Sequence, residues 1–345
     1  MVQNKFKVMI LTAEDSMKVF RMDQERLDAA LKRHPDIADI AEFSFTRTTT
    51  SYENTPSWNE ADHQLFYHDV ADKDIILGYM FPLDRFAEHA PDVRYIHIIG
   101  AGVEHLTPLD WLPKGSQLTN NRGAHAPKSA EYAMMCMLML GNHMPRLYTA
   151  QRESRWDGHF LTIIEGNTAV VVGAGKQGSA IAKAAKKLGI RVIGVDPNVR
   201  EKEGFEKIVP PSEMCSVLGE ADYVFLTLPA SPENLHMFGA RQFAAMKPEA
   251  GFVNLCRGSV LETEALIHAL KSNQISGAIL DVFEQEPLPQ DSPLWTTPNL
   301  VMTPHMGCDD EDNYIHRTFD IFFDNLRRLY KGEALENVVD PVKGY

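Results

Sequence analysis

The chain has 345 residues, of which 44% are hydrophobic and 23% are charged, a composition typical of globular proteins. Its 34 basic and 47 acidic residues give a net charge of −13, which argues against nucleic acid or an anionic membrane surface as the partner. The length favours two domains of ordinary size, each able to bury its own core.

The four cysteines stand singly along the chain, at Cys136, Cys215, Cys256 and Cys308. Without a C-x-x-C pair they indicate reduced thiols rather than disulfides or a zinc site, and we expect no bound metal. The chain starts without a signal-like apolar segment, and its longest nearly apolar stretch, residues 132–140, is too short to cross a bilayer. These features predict a cytoplasmic protein.

The first third alternates predicted strands and helices. Apolar runs predict strands at 7–11, 74–78 and 94–99, and helical periodicity covers 23–33 and 83–89. Residues 46–57, rich in Thr and Ser, show no clear pattern. A longer helix is predicted over 127–142, and we assign its methionines at 134, 135, 137 and 139 to packing in the core or at a subunit contact.

From residue 168 the same alternation resumes. Strands are predicted near 168–172, 191–195, 222–227, 251–255, 276–281 and 299–302, and a last long helix over 311–331. The Pro-rich residues 284–298 show no clear pattern. Continuous apolar strands that alternate with helices imply parallel sheets covered on both faces, so the fold class is α/β.

A glycine-rich turn in mid-chain is the most informative motif. The run Gly173-Ala174-Gly175-Lys176-Gln177-Gly178 follows a predicted strand and leads into a helix. In such a turn the glycines allow a tight bend and let a pyrophosphate approach the backbone at the helix N-terminus. Asp196 ends the next strand, about 20 residues on, where an acid accepts hydrogen bonds from a ribose hydroxyl. This context favours nucleotide binding over a purely structural turn.

Three polar side chains follow later strands: Arg257, Glu286 and His305. Ligands bind outside the carboxyl ends of strands in open α/β sheets, so we expect these loops to converge near the glycine turn. Arginine can clamp a carboxylate, histidine exchanges a proton near neutral pH, and a carboxylate can orient the imidazole. Each residue alone is more often an ordinary surface group. Together with a nicotinamide cofactor they fit hydride transfer to a 2-oxo acid.

Several separated motifs resemble the D-2-hydroxyacid dehydrogenase family, which includes glyoxylate/hydroxypyruvate reductases, phosphoglycerate and formate dehydrogenases and C-terminal-binding-protein corepressors. They are the glycine turn and residues 100–106, 228–233, 254–258, 281–288 and 303–305. The resemblance implies two doubly wound parallel-sheet domains, a flavodoxin-like substrate domain and a Rossmann cofactor domain, with an interdomain cleft. We predict residues 1–118 plus 309–345 for the substrate domain and 119–308 for the Rossmann domain.

The resemblance also implies roles for single residues. Arg257 would bind the substrate carboxylate and carbonyl, His305 would be the general acid/base, and Glu286 would orient it. Backbone amides of Ala101 and Gly102 would hold the substrate carboxylate. The implied cofactor contacts are Gly173, Gly175, Lys176 beside the pyrophosphate, Gln177, Gly178, Asp196, Leu228, Pro229, Cys256, Arg257, Asp281 at the nicotinamide end, and His305.

Substrate and cofactor preferences rest on fewer residues. Tyr79 and Arg122 are candidate selectors of the substrate side chain, although Arg122 equally fits an ordinary surface charge. Expected substrates are glyoxylate, hydroxypyruvate, pyruvate or a similar small anionic 2-oxo acid. Asp196 would repel a 2′-phosphate and favours NAD, whereas the nearby Arg200 keeps NADP open.

The chain departs from the family pattern in three places, one of which is Glu104, where the family more usually has Asp. Gln177 stands where the family usually has an aliphatic residue, and in Met306-Gly307-Cys308 the glycine after His305 is shifted. By analogy we expect a homodimer along the methionine-rich helix. Two alternatives stay open: an NAD(H)-sensing interaction protein like the corepressors, which the acidic balance supports little, and oxidation of an inorganic anion such as phosphite.

Overall fold

The computed structural model describes residues 5–51, 58–341 and 344, and it divides into two compact units. The first comprises Met1–Ala124 and Asp310–Tyr345, and the second His125–Asp309. The chain leaves the first unit after the predicted boundary at 118/119, because Thr119 and Asn120 still pair with His97 and Ile98 in the first sheet.

The first unit contains five parallel strands in the order β2-β1-β3-β4-β5, the flavodoxin-like order. They are β1 (Phe6–Ala13), β2 (Ala41–Thr48), β3 (Ile75–Gly78), β4 (Tyr95–Ile98) and β5 (Gln117–Asn120). The two edge strands β2 and β5 were not predicted, because their sequences mix polar and apolar residues. The patternless stretch 46–57 begins inside β2, and its residues 52–57 lie outside the described residues.

Helices cover both faces of this sheet. They are α1 (Gln24–Arg33), α2 (Ile37–Ile40), α3 (Glu60–Val70), α4 (Phe86–His89) and, after the second unit, α11 (Tyr314–Lys331). Neighbouring residues of β1 point to opposite faces. Val8 packs in one core cluster with Phe319 of α11, and Met9 packs in another with Phe66 of α3.

The second unit contains seven parallel strands in the order β12-β11-β10-β9-β6-β7-β8. They are β6 (Thr168–Val172), β7 (Arg191–Val195), β8 (Lys207–Val209), β9 (Tyr223–Leu226), β10 (Gly251–Asn254), β11 (Gly277–Leu280) and β12 (Leu300–Met302). The strand order reverses between β6 and β9, and ligands bind at such a switch point in this fold class.

The helices of the second unit are α5 (Ala126–Gly141), α6 (Met144–Arg152), α7 (Lys176–Lys187), α8 (Met214–Leu218), α9 (Ala240–Ala244) and α10 (Thr263–Lys271). In β9, Val224 packs in a cluster with Leu266 of α10, and Phe225 packs in a second cluster with Ile181 of α7. The prediction of two doubly wound parallel sheets is therefore confirmed. Within the described part of the chain, no helix is both long and apolar enough to span a membrane.

Candidate active site

The glycine turn joins β6 to the N-terminus of α7. Gly173 has a φ of +104°, and a Cβ there would lie 2.8 Å from the carbonyl oxygen of Thr227. A Cβ on Gly178 would lie 1.9 Å from the carbonyl oxygen of Gly173, so only glycine lets α7 pack this close to the turn. A Cβ on Gly175, by contrast, would have open space around it. This exposed backbone at a helix N-terminus fits the pyrophosphate of a dinucleotide.

Asp196 follows β7 and ties the turn to the next loop. Its carboxylate accepts hydrogen bonds from the backbone N–H of Ala174 (2.9 Å), Asn198 (2.8 Å) and Val199 (2.9 Å). The Arg200 guanidinium donates to the carbonyl oxygen of Asp196 at 2.8 Å. The acid thus lies at the predicted ribose end of the turn, with a cation on the adjacent backbone.

The Arg257 loop follows β10 and is shaped by the buried Asn254. The Oδ1 atom of Asn254 accepts the Cys256 N–H at 3.1 Å, and its Nδ2 donates to the Arg257 carbonyl at 3.1 Å. The Arg257 guanidinium donates to the Cys256 carbonyl at 2.8 Å. Burial raises the pKa of Cys256 to about 11, so its thiol stays neutral and acts as a packing group rather than a nucleophile.

The Arg257 loop packs directly on the loop that follows β11. A Cβ on Gly258 would lie 1.9 Å from the carbonyl carbon of Phe283 and 2.2 Å from the Glu284 nitrogen. The two backbones therefore touch, and no larger residue fits at position 258. This contact brings the loops of Arg257 and Glu286 together, as the strand ends predict.

Glu286 and His305 form a hydrogen-bonded pair. The Nδ1 atom of His305 lies 2.6 Å from Oε2 of Glu286, and Oε1 accepts the Phe283 N–H at 2.8 Å. The His305 backbone, in the left-handed region with φ of +51°, donates its N–H to the Asp281 carbonyl at 2.8 Å. With Nδ1–H directed at the carboxylate, Nε2 is the nitrogen that can exchange a proton with a substrate.

Asp281 anchors the loop that carries His305. Its buried carboxylate accepts the Thr303 hydroxyl at 2.6 Å and the Gly307 N–H at 2.9 Å. Burial raises the pKa of Asp281, and these hydrogen bonds oppose the shift. The Tyr132 hydroxyl lies 2.6 Å from the Thr303 hydroxyl, and a Cβ on Gly307 would meet the Tyr132 ring at 2.5 Å. The shifted glycine thus accommodates an aromatic ring, while the nicotinamide contact of Asp281 stays a prediction.

The remaining predicted cofactor residues occupy the same edge of the second sheet. Lys176 begins α7 and is exposed, and Leu228 and Pro229 follow β9. The Pro229 carbonyl accepts the Asn234 side chain at 3.0 Å, which holds that loop closed. Gln177 turns its amide toward the protein rather than toward the exposed backbone of Gly175.

The predicted substrate residues lie at strand ends of the first unit. Tyr79 follows β3, and a Cβ on Gly100 would lie 2.6 Å from its ring. The Asn120 side chain donates to the Ala101 carbonyl at 2.9 Å, and the Asn121 N–H donates to the Gly100 carbonyl at 2.9 Å. These bonds occupy carbonyl oxygens of the 100–102 loop. Arg122 follows β5, and its carbonyl accepts the side chain of Asn337 at 2.9 Å.

Sequence reasoning missed the residues that support the site. Asn254, Thr303 and Tyr132 contact the predicted residues. Asn254 and Thr303 begin two of the motifs that carry the resemblance but were assigned no role, and Tyr132 stands in none of those motifs. A second imidazole–carboxylate pair, His236 and Glu284 at 2.6 Å, was also missed. Two signals pointed to Asn254: it begins the 254–258 motif, and it ends the buried run of β10.

Comparisons with known proteins decide the family. The family model described as D-isomer specific 2-hydroxyacid dehydrogenase, NAD binding domain, matches residues 134–307. This chain belongs to that family. The predicted family is therefore confirmed, and the NAD binding domain that its model describes agrees with the predicted nicotinamide cofactor.

Relatives and a solved structure agree with this membership. The chain is 31% identical over 279 residues to a glyoxylate reductase of Korarchaeum cryptofilum, covering 79% of this chain and 84% of the relative. It is 34% identical over 259 residues to a D-3-phosphoglycerate dehydrogenase of Methanocaldococcus jannaschii, covering 73% of this chain. The chain spans only about half the length of that curated relative, 48%. A D-isomer specific 2-hydroxyacid dehydrogenase from Xanthobacter autotrophicus, solved with NADPH and MES, superposes with a TM-score of 0.79 at 26% identity, covering 99% of this chain and 100% of that one.

Proposed function

We propose that this family member reduces small 2-oxo acids to D-2-hydroxy acids. The observation that carries the proposal is the 2.6 Å contact between His305 Nδ1 and Glu286 at the edge of the sheet that also bears the dinucleotide turn. In that contact the Glu286 carboxylate orients the imidazole through Nδ1, and Nε2 on the other side of the ring is left to exchange a proton. Membership of a D-isomer specific family supports the D configuration of the product.

The chemistry divides between the cofactor and the protein. A bound nicotinamide cofactor supplies the hydride that reduces the carbonyl carbon. Arg257 pairs with the substrate carboxylate and polarises the carbonyl, because its planar guanidinium can form two parallel hydrogen bonds. Nε2 of His305 donates a proton to the carbonyl oxygen as negative charge develops there, and Glu286 keeps the ring oriented. In the oxidative direction His305 accepts that proton.

The first unit supplies the proposed specificity. The amides of Ala101 and Gly102 would bind the substrate carboxylate, since two successive backbone N–H groups form a small anion site. Tyr79 follows β3 and Arg122 follows β5, the strands on either side of β4 in the same sheet, and both would contact the substrate side chain. A small or hydroxylated side chain, as in glyoxylate, pyruvate or hydroxypyruvate, suits a polar selector such as Arg122.

For the cofactor we propose a preference for NAD. The Asp196 side chain accepts hydrogen bonds from three backbone N–H groups at the predicted ribose end, and it would repel a 2′-phosphate. Arg200 donates to the backbone carbonyls of Asp196 and Pro197, which directs its charge onto the loop. A higher kcat/KM with NADPH than with NADH would contradict the preference. Asp196→Ser is expected to lower the NADH/NADPH ratio of kcat/KM.

The direct test is a substrate panel. Initial rates of NADH and NADPH oxidation are measured with glyoxylate, pyruvate, hydroxypyruvate and bulkier 2-oxo acids, alongside NADH binding followed by its fluorescence. The proposal expects saturable turnover of at least one small 2-oxo acid. NADH binding without turnover of any member of the panel would contradict it.

We also propose a homodimer located in the cytoplasm. Exposed apolar side chains cluster in sequence around α5 and the segment after α6: Met135, Leu138, Trp156 at 98% exposure, Phe160 and Ile163 at 76%. Monomers rarely leave such aromatic surface in water. Light scattering during gel filtration should give a molar mass twice that of one chain. A Trp156→Ser/Phe160→Ser variant should give the mass of a single chain. The four free thiols suit a reducing compartment, which fractionation of the source cells would test.

A further inference from the structure

Gln177, the second residue of α7, sends its side chain away from the exposed turn and into the protein. Its Nε2 lies 3.2 Å from the Ser129 hydroxyl, 3.3 Å from the Leu255 carbonyl and 3.5 Å from the Cys308 sulphur. An amide nitrogen has two hydrogens, so these three acceptors share them. One side chain therefore contacts three separate segments of the second unit.

The positions of these three partners give the contacts their meaning. Leu255 lies two residues before Arg257, and Cys308 lies three residues after His305. Ser129 is fully buried in α5. In the sheet, β9 separates β6 from β10, and β11 separates β10 from β12, so no single pair of neighbouring strands links all three loops. The Gln177 amide links the three loops directly, beyond the ends of the strands.

Two of the acceptors are a strand-end carbonyl and a thiol sulphur. The Leu255 carbonyl follows the last residue of β10 and lies beyond the ladder of that strand. Burial raises the pKa of Cys308 to about 11, so the thiol is neutral and its sulphur is a soft acceptor. An aliphatic residue at 177 would remove the donor while leaving the buried acceptors in place, which costs more than removing both partners.

We propose that Gln177 is a positioning residue that fixes the Arg257 and His305 loops relative to the glycine turn. The inference rests on the proposed function, because it assigns the loops their catalytic roles. Gln177 acts through Leu255 and Cys308 rather than on the substrate. A displacement of about 1 Å in such loops can cost on the order of 100-fold in rate.

The test compares Gln177→Met with Gln177→Glu in the full chain. Methionine keeps the volume and removes the donor, and glutamate keeps the shape but sets an acceptor against acceptors. Relative to wild type, kcat for the best 2-oxo acid should fall about tenfold in Gln177→Met and further in Gln177→Glu. The NADH dissociation constant, measured by fluorescence titration, should change less than about threefold. Gln24→Leu, at an exposed position on α1, is the matched control and should match wild type.

The split between kcat and NADH binding separates positioning from a structural role. A Gln177→Met enzyme with wild-type kcat and KM overturns the inference. An NADH dissociation constant that rises by the same factor as kcat falls also overturns it, because Gln177 would then serve only the cofactor turn. Absence of turnover in the wild-type protein overturns the proposed function and this inference with it, whereas wild-type turnover with unaffected variants overturns this inference alone.

Discussion

The loop after β11 carries two glutamates, Glu284 and Glu286, and each forms a similar pair with a histidine from another loop. His305 contacts Glu286 at 2.6 Å, and His236 contacts Glu284 at the same 2.6 Å. Both histidines have left-handed backbones, with φ of +51° and +50°, and both side chains are about half exposed. Contact distance, backbone conformation and exposure therefore do not distinguish a catalytic pair from a structural one.

The difference lies in which nitrogen is used and in what surrounds each ring. His305 contacts its carboxylate through Nδ1, whereas His236 uses Nε2. The second oxygen of Glu286 accepts a backbone N–H at 2.8 Å, and that of Glu284 accepts the Thr263 hydroxyl at 3.0 Å. His305 follows a strand at the ligand-binding edge of the sheet, and His236 precedes the short helix α9. A pair becomes a candidate for catalysis through its place in the fold.

Replacement of His305 should separate the two pairs most strongly. His305→Ala is expected to lower kcat for the best 2-oxo acid by about 1,000-fold, because the general acid is lost. NADH binding should stay close to wild type. Steady-state rates and fluorescence titration measure the two effects. Residual activity above a tenth of wild type would contradict the assignment.

Arg257 extends the contrast to the substrate. Arg257→Ala should lower kcat/KM for 2-oxo acids by about 100-fold, since the carboxylate of the bound substrate would lose its charged partner. Arg257→Lys should recover part of the loss, because it restores charge without the two-pronged geometry. Arg241→Ala, at an exposed position on α9, is the control and should have no effect. Equal losses in the two alanine variants would show that the effect is not specific to Arg257.

A third imidazole, His97, sharpens the comparison because it is fully buried in the first unit. Its Nδ1 lies 2.8 Å from the Thr119 hydroxyl, and burial lowers its pKa to about 4 from the ordinary 6.5. The unfolded chain therefore binds a proton at higher pH than the folded chain does. The free energy of unfolding should fall by about 3 kcal/mol as the pH drops from 6.5 to 4.

Urea unfolding between pH 7.5 and 4 measures this loss. In His97→Gln the decline attributable to this group should vanish, while His68→Gln, with a side chain 87% exposed, should decline as wild type does. An unchanged pH slope in His97→Gln would show that other groups set the acid sensitivity.

The two carboxylates of the loop allow a smaller, matched comparison. Glu286→Gln should lower kcat on the order of tenfold, because the amide can no longer hold the imidazole as a carboxylate does. Glu284→Gln has the same chemistry on the neighbouring pair and should change kcat much less. Similar losses in both variants would mean that the loop conformation, rather than the His305 ring, responds to charge.

The smallest effect is expected at His236. His236→Ala should change kcat/KM by less than about threefold, since the substitution removes only an exposed side-chain contact between two loops. A modest decrease in the melting temperature is the expected signature. A rate loss comparable to that of His305→Ala would remove the distinction between the pairs.

The strands, the glycine turn and the polar residues at strand ends could be predicted from the sequence, because they follow from hydrophobic periodicity and parallel topology. Arg257, Glu286 and His305 were predictable for that reason, and so was the place of Asp196. The edge strands β2, β5 and β8 escaped prediction because edges tolerate polar residues and short lengths. The anchoring of Asp281 by Thr303 and Gly307 depends on a loop path with a left-handed His305. Histidine adopts this conformation more often than most residues, but only a small fraction of histidines do so, and the sequence does not mark which ones.

The same limit explains the second pair and Gln177. Nothing in the sequence shows that Glu284 and Glu286 point to different histidines, because the alternation depends on how the loop bends. The resemblance marked Gln177 as unusual without indicating its partners. Those partners lie far away along the chain and meet only after the sheet forms.

The central proposal is that a reduced nicotinamide cofactor bound at this edge of the second sheet would supply a hydride to the C2 atom of a 2-oxo acid, while His305 would supply the proton. Reaction of hydroxypyruvate with NADH that carries deuterium at both C4 positions, followed by chiral analysis of the glycerate, tests it most directly. The account predicts D-glycerate with deuterium at C2, formed by the wild-type protein and by His236→Ala, and nearly lost in His305→Ala. Glycerate without deuterium at C2, or equal yields from the two histidine variants, would contradict it.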